Sequence, residues 1–73
     1  MTIGESIKNL RKEKGISQTE LANELHLSQD TISLWENDKS KPDATSIIAL
    51  ALFFDVTTDE ILCFADFKNK SKR

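Results

Sequence analysis

The residues best equipped for chemistry gather between Ser17 and Pro42, in the run SQTELANELHLSQDTISLWENDKSKP. Two short amphipathic segments meet there at a tight bend, and Ser28, Gln29, Asp30, Thr31 and Ser33 crowd the start of the second. These are small hydrogen-bonding groups, and a helix end that carries them is suited to meeting the edge of a base pair. Catalysis finds no comparable set. Histidine occurs once, tyrosine not at all, and Gly4 and Gly15 are the two glycines, so the chain offers neither a phosphate-cradling loop nor a nucleophile and base at a recognisable spacing. The expectation is a non-enzyme with no cofactor, no metal and no small-molecule site.

Positioning these groups falls to helices. Ser17 precedes an apolar-periodic run and Glu20 follows three residues later, the spacing of a capping box, so a helix is expected from Gln18, with Leu21, Ala22 and Leu25 on its inner face. Ser28 is a second N-cap, and Ile32 and Trp35 share a face of the helix that follows, which should end near Asn37. With His26 and Leu27 alone between the two runs, the helices must cross at a large angle, and Ala22 is small where their backbones would approach. Upstream, Thr2 and Glu5 form another capping box for a first helix carrying Ile3, Ile7 and Leu10 and stopping at Gly15. Downstream, Asp43 caps a fourth helix with Ile47, Leu50, Ala51 and Phe54 inward, and Thr57 with Glu60 begins a short fifth. Residues 68–73 are basic and aperiodic, and are expected to be a disordered tail on a single domain of residues 1–67.

In this order and spacing, RKEKG (residues 11–15), SQTELA, the run from Ile32 through Trp35-Glu36-Asn37 to Lys39-Ser40-Lys41-Pro42, and Asp55-Val56 leading to Asp59-Glu60-Ile61-Leu62 resemble the phage repressor and Cro family. This is the xenobiotic response element family of bacterial regulators. The resemblance covers about Ile3 to Cys63. It implies an all-α, five-helix, lambda-repressor-like DNA-binding domain whose second and third helices form a helix-turn-helix. Two positions depart from the pattern: His26 and Asp38 stand where glycine is usual, and both should adopt a left-handed backbone.

The resemblance also implies roles. Gln29, Asp30, Ser33 and Leu34 occupy the exposed start of the recognition helix, where family members read bases in the major groove. Gln pairs bidentately with adenine, Asp accepts from the cytosine amino group, and Leu meets the thymine methyl. Asp30 equally suits a first helical turn for its effect on the macrodipole alone. Gln18, Ser28, Thr31, Asn37, Lys39 and Lys41 match positions that contact phosphate, and Arg11 with Glu36 matches an ion pair joining the first helix to the end of the third. Trp35 and His26 are expected to fill core and turn. The implied function is a DNA-binding transcriptional regulator, in the first instance a repressor, that acts on a double-stranded operator as a homodimer. Phe53, Phe64 and Phe67 are more apolar groups than so short a chain needs for its core, so Phe53, Ile61, Phe64 and Phe67 are expected to form a weak isologous interface.

Charge argues the other way. The chain carries ten basic and twelve acidic side chains, for a net charge of −2. Four of the basic groups fall in residues 68–73, so residues 1–67 hold six basic and twelve acidic side chains, a net of −6. Phosphate attraction by bulk charge is therefore excluded, and any DNA binding must rest on neutral polar groups, helix N-termini and a few lysines, with a shallow salt dependence. The competing reading is a helical module that binds protein with the same fold. Against it stands the uncharged Gln/Ser face of the third helix with lysines just beyond. A single cysteine, Cys63, rules out an intrachain disulfide and fits a reducing cytoplasm, where it would be an inert, partly buried thiol. The longest apolar stretch, Ile47 to Phe54, is too short to span a bilayer.

Overall fold

The computed structural model describes residues 1–62. These form five α-helices: α1 (Ile3–Lys14), α2 (Gln18–Glu24), α3 (Gln29–Glu36), α4 (Ala44–Phe54) and α5 (Thr58–Leu62), with no strand among the described residues. Cys63, Phe64, Phe67 and the basic segment 68–73 lie outside them. No described helix is long and apolar enough to cross a membrane.

Local chemistry sets where the helices begin. The hydroxyls of Thr2, Ser17 and Ser28 and the carboxylate of Asp43 accept from the backbone N–H groups of Glu5, Glu20, Thr31 and Ser46 at 3.1, 3.0, 3.2 and 2.8 Å. Thr2 and Ser17 complete reciprocal capping boxes, with Glu5 and Glu20 reaching back at 2.9 and 2.8 Å. Thr57 Oγ1 accepts from Glu60 N–H at 3.2 Å at the start of α5. The bonds from Ser46 hold the Asp43 carboxyl below the ordinary aspartate range, because the ionised form accepts them better. Helix ends turn on left-handed residues: Gly15 at φ 75°, His26 and Asp38 at 59°, and Asp55 at 58°. His26 and Asp38 adopt the expected backbone, and Asp55, closing α4, adds a third non-glycine case.

The five helices bury one core of Ile7, Leu21, Ala22, Ile32, Trp35, Ile47, Leu50, Ala51 and Ile61. Trp35 is packed inside, and Ala22 is buried on α2, which packs on α3. α1 is the central strut, touching α3, α4 and α5, while α2 packs chiefly on α3. Two long-range features hold α1 in place. Ser6 Oγ, buried, donates to the carbonyl of Glu60 in α5 at 3.1 Å. Gly4 lies against the end of α3 so closely that a Cβ there would stand 2.8 Å from the carbonyl oxygen of Glu36, 2.7 Å from Asp38 Oδ1, and closer still to the carbonyl of Trp35. Neither contact was foreseen from the sequence, which marks Gly4 only as a weak helix former.

Candidate nucleic-acid interface

α3 starts immediately after the left-handed turn at His26, with Ser28 as its cap and Asn37 closing it. Of its proposed base-reading residues, Gln29, Asp30 and Leu34 are exposed and Ser33 is half-buried. The face is neutral apart from Asp30, which sits in the first turn, where the helix dipole favours an acid. Ser28 Oγ and Thr31 Oγ1 lie 2.9 Å apart and share a hydrogen bond. Asn37 Nδ2 donates to the Ser33 carbonyl at 2.9 Å and approaches Ser33 Oγ at 3.4 Å, so the two are tied together on one turn. Lys39 and Lys41 are exposed on the segment that follows.

A chain of hydrogen bonds runs from α1 to this face. Glu36, almost fully buried, accepts from Arg11 Nε at 2.7 Å and Nη2 at 3.1 Å, and Arg11 Nη1 donates to the Ile16 carbonyl at 2.8 Å. The bidentate contact with Glu36 raises the Arg11 pKa above its usual value against the opposing effect of burial, so the guanidinium stays charged. The same Glu36 Oε1 accepts from Gln18 Nε2 at 3.0 Å, and Gln18 Oε1 accepts from Gln29 Nε2 at 2.6 Å.

This chain fixes the direction of both amides. An ionised carboxylate only accepts, so Gln18 must turn its NH2 to Glu36 and its carbonyl to Gln29. Gln29 must then present its own NH2 to Gln18, which leaves it one further N–H and a carbonyl oxygen. That pair is the donor and acceptor set that matches adenine N7 and N6. Gln18, expected at phosphate, is thus half-buried as the link between the ion pair and the recognition helix, and only its surface edge remains for a backbone contact. Sequence spacing could not have revealed this bridge, because it joins positions 11, 18, 29 and 36 across three helices.

The expected dimer residues fare differently. Ile61 is 0% exposed, a core residue held by the packing of α5 on α1 and α4, and it presents no surface to a partner; that assignment is corrected. Phe53 is half-buried, with Phe54 edge-on at 5.1 Å and Lys14 Nζ over its ring at 5.1 Å. Phe64 and Phe67 fall outside the described residues. The apolar surface that the sequence reading overlooked is on α4, where Ile48 is 53% and Leu52 78% exposed one turn apart, with Leu62 also exposed on α5.

Comparison with known proteins agrees with this fold. Residues 7–61 match the family model described as helix-turn-helix. Across 62 residues the chain is 39% identical to the HTH-type transcriptional activator BcrR of Enterococcus faecalis, covering 85% of this chain and 30% of that protein. It is 31% identical to the HTH-type transcriptional regulator ImmR of Bacillus subtilis, over 85% of this chain and 49% of the relative. The immunity repressor protein of Bacillus phage phi105 is 35% identical over 51 residues, 70% of this chain and 35% of its own length. The chain thus spans between 30% and 49% of the length of the curated relatives it matches. Among solved structures, the P22 c2 repressor in complex with synthetic operator 9T superposes with a TM-score of 0.80 at 29% identity, covering 85% of this chain and 94% of that one. The all-α five-helix architecture, the capped α2–turn–α3 unit and these matches place the chain in the helix-turn-helix family of phage-repressor type.

Proposed function

We propose that this protein binds operator DNA sequence-specifically through α3 and regulates transcription as a repressor. The observation that carries the reading is the hydrogen-bond chain from Arg11 through Glu36 and Gln18 to Gln29, which orients an amide at the exposed helix start. In this reading Gln29, Asp30, Ser33 and Leu34 read base edges, and Gln18, Ser28, Thr31, Asn37, Lys39 and Lys41 meet the sugar-phosphate backbone. Repression requires only occupancy of the operator, whereas activation requires a further productive contact with the transcription machinery. The setting is the cytoplasm, where both DNA and a reduced Cys63 belong.

One recognition helix covers half of an operator, so the protein acts as a weak homodimer on two half-sites about one helical turn apart. The exposed Ile48, Leu52 and Leu62 support an isologous contact through α4 and α5. Sedimentation tests this directly: wild type should self-associate at micromolar concentration and Leu52→Glu should not, and a wild type that stays monomeric with and without operator removes the dimer.

Selection from random duplexes at low salt, with wild type beside the Gln29→Ala, Ser33→Ala double variant, tests the reading as a whole. Enrichment of an inverted repeat by wild type alone is the expected result. No enrichment by either protein would overturn the reading in favour of a protein-binding module.

A further inference from the structure

Asp38 is an acid on the segment that leads from α3 to Lys39 and Lys41, and it holds a left-handed backbone at φ 59° that glycine adopts at less cost. Both its charge and its conformation are unfavourable for a residue beside a phosphate-binding loop. Its bonds reach back to the opposite end of the chain. Oδ1 accepts from Gly4 N–H at 3.1 Å and Oδ2 accepts from Thr2 Oγ1 at 2.7 Å. The Thr2 hydroxyl therefore serves twice, accepting from Glu5 N–H as the α1 cap and donating its proton to Asp38. The carboxylate thus sits at the α1 N-terminus, where exposed N–H groups and the helix dipole favour an anion. Gly4 allows this closeness, since a side chain there would displace Asp38 Oδ1.

The other side of the loop is secured by α3. Asp38 N–H donates to the Trp35 carbonyl at 3.1 Å, and Lys39 and Ser40 N–H both donate to the Leu34 carbonyl, at 2.9 and 3.3 Å. Leu34 is itself on the proposed reading face, so the loop is joined to α3 by its backbone and to α1 by the Asp38 side chain.

We propose that Asp38 is a positioning residue for DNA binding: clamped by the first turn of α1, it fixes the backbone that carries Lys39 and Lys41, so that this acid raises DNA affinity. The inference rests on the DNA-binding reading above. It is separable from simple electrostatics because the two make opposite predictions. Deleting an acid near phosphate, by charge alone, tightens binding. Deleting a clamp frees the loop, and binding weakens with fewer phosphates neutralised.

The test uses the full chain as wild type, Asp38→Gly and Asp38→Asn. Asp38→Gly removes both bonds while relieving the left-handed backbone, so the fold should survive. Asp38→Asn keeps an acceptor for Gly4 N–H but replaces the acceptor of the Thr2 hydroxyl proton with an NH2 and removes the charge. Binding to a labelled duplex of mixed sequence is followed by anisotropy across a salt series, and amide hydrogen exchange is measured at Lys39 and Ser40 in the free protein. Asp38→Gly should bind roughly 3- to 10-fold more weakly, with the log K against log salt slope shallower by about one charge, and with faster exchange at both amides; Asp38→Asn should lie between. Equal or tighter binding by Asp38→Gly with an unchanged slope overturns the proposal. A wild type that binds no duplex at low salt refutes the DNA reading itself and takes this role with it, a result distinct from a variant that merely matches wild type.

Discussion

Replacing Glu36 by Gln separates the two duties that the structure gives this carboxylate. Its side chain is 2% exposed and that of Arg11 12%, so the pair is largely shielded from water. Breaking a buried ion pair by removing one partner costs about 3–5 kcal/mol, because the surviving charge is left unpaired. Here the cost should fall somewhat lower, at about 2–3 kcal/mol, since Gln retains one acceptor and Arg11 keeps both its bond to the Ile16 carbonyl and some solvent. A domain this small rarely has more than about 3–5 kcal/mol in total. Glu36→Gln should therefore lower the urea midpoint followed by helical circular dichroism by about 2 M or more, with a slope near 1 kcal/mol per M.

The second duty is orientation. A Gln at position 36 can turn either its carbonyl or its NH2 to Gln18, so Gln18 is no longer obliged to offer its carbonyl to Gln29, and preference for adenine at the contacted base should relax. The double variant Arg11→Met, Glu36→Met distinguishes the duties: an apolar pair of similar volume should recover most of the stability but none of the base preference, because Gln18 still lacks its anchor. A Glu36→Gln protein that loses less than about 1 kcal/mol and selects the same DNA as wild type would refute the claim that this carboxylate anchors the relay.

Gly4→Ala should destabilise by about 1–3 kcal/mol or more, although alanine is the better helix former, since its Cβ would meet the Trp35 and Glu36 carbonyls; thermal melting measures it, and an unchanged or raised midpoint would show that α1 and α3 can separate freely. Asp43 has a lowered folded pKa, so its capping contribution is fully present above the ordinary aspartate range and is lost as pH falls through the lowered value; the stability gap between wild type and Asp43→Ala should close in acid, and a gap that holds constant with pH would contradict it. Gln29→Ala should cost roughly 1–3 kcal/mol on the selected site alone, while Lys41→Ala weakens selected and random duplexes alike; equal losses on both kinds of DNA by both variants would mean that Gln29 reads nothing.

What could be read from the sequence was local. An N-cap and the amide it satisfies lie three residues apart, so Thr2, Ser17, Ser28 and Asp43 announced the starts of four helices. The inward faces of α1 to α4 followed from helical periodicity, and Trp35 went to the core as its spacing from Ile32 required. Apart from the Arg11–Glu36 pair, which the family resemblance supplied, sequence reading failed where a side chain's partner is remote. Asp38 binds residues 34 and 36 positions away, Ser6 reaches a carbonyl 54 positions away, and the Gln18–Gln29 contact depends on how two helices cross. Ile61 was misassigned for a related reason. α5 has only five residues, too few to establish a phase, and the packing that buries Ile61 while leaving Leu62 exposed is set by α1 and α4.

The acidic body then becomes part of how such a domain would discriminate. Residues 1–62 carry eleven acidic and six basic side chains, so delocalised attraction to any duplex is weak, and Lys39 and Lys41 are the exposed cations on the segment that follows the reading helix. If these two supply the phosphate contacts, each protomer releases about two counterions and the salt slope of a dimer is near −3.6, well short of regulators that grip DNA by charge. Binding to random sequence is correspondingly poor, while a bidentate amide contact adds about 1–3 kcal/mol only when the right base is present. Specificity is the difference between those two states. A low electrostatic background leaves that difference to the groups on α3, and the cost of holding Gln29 in one orientation is borne by the Arg11–Glu36 pair on the other side of Gln18.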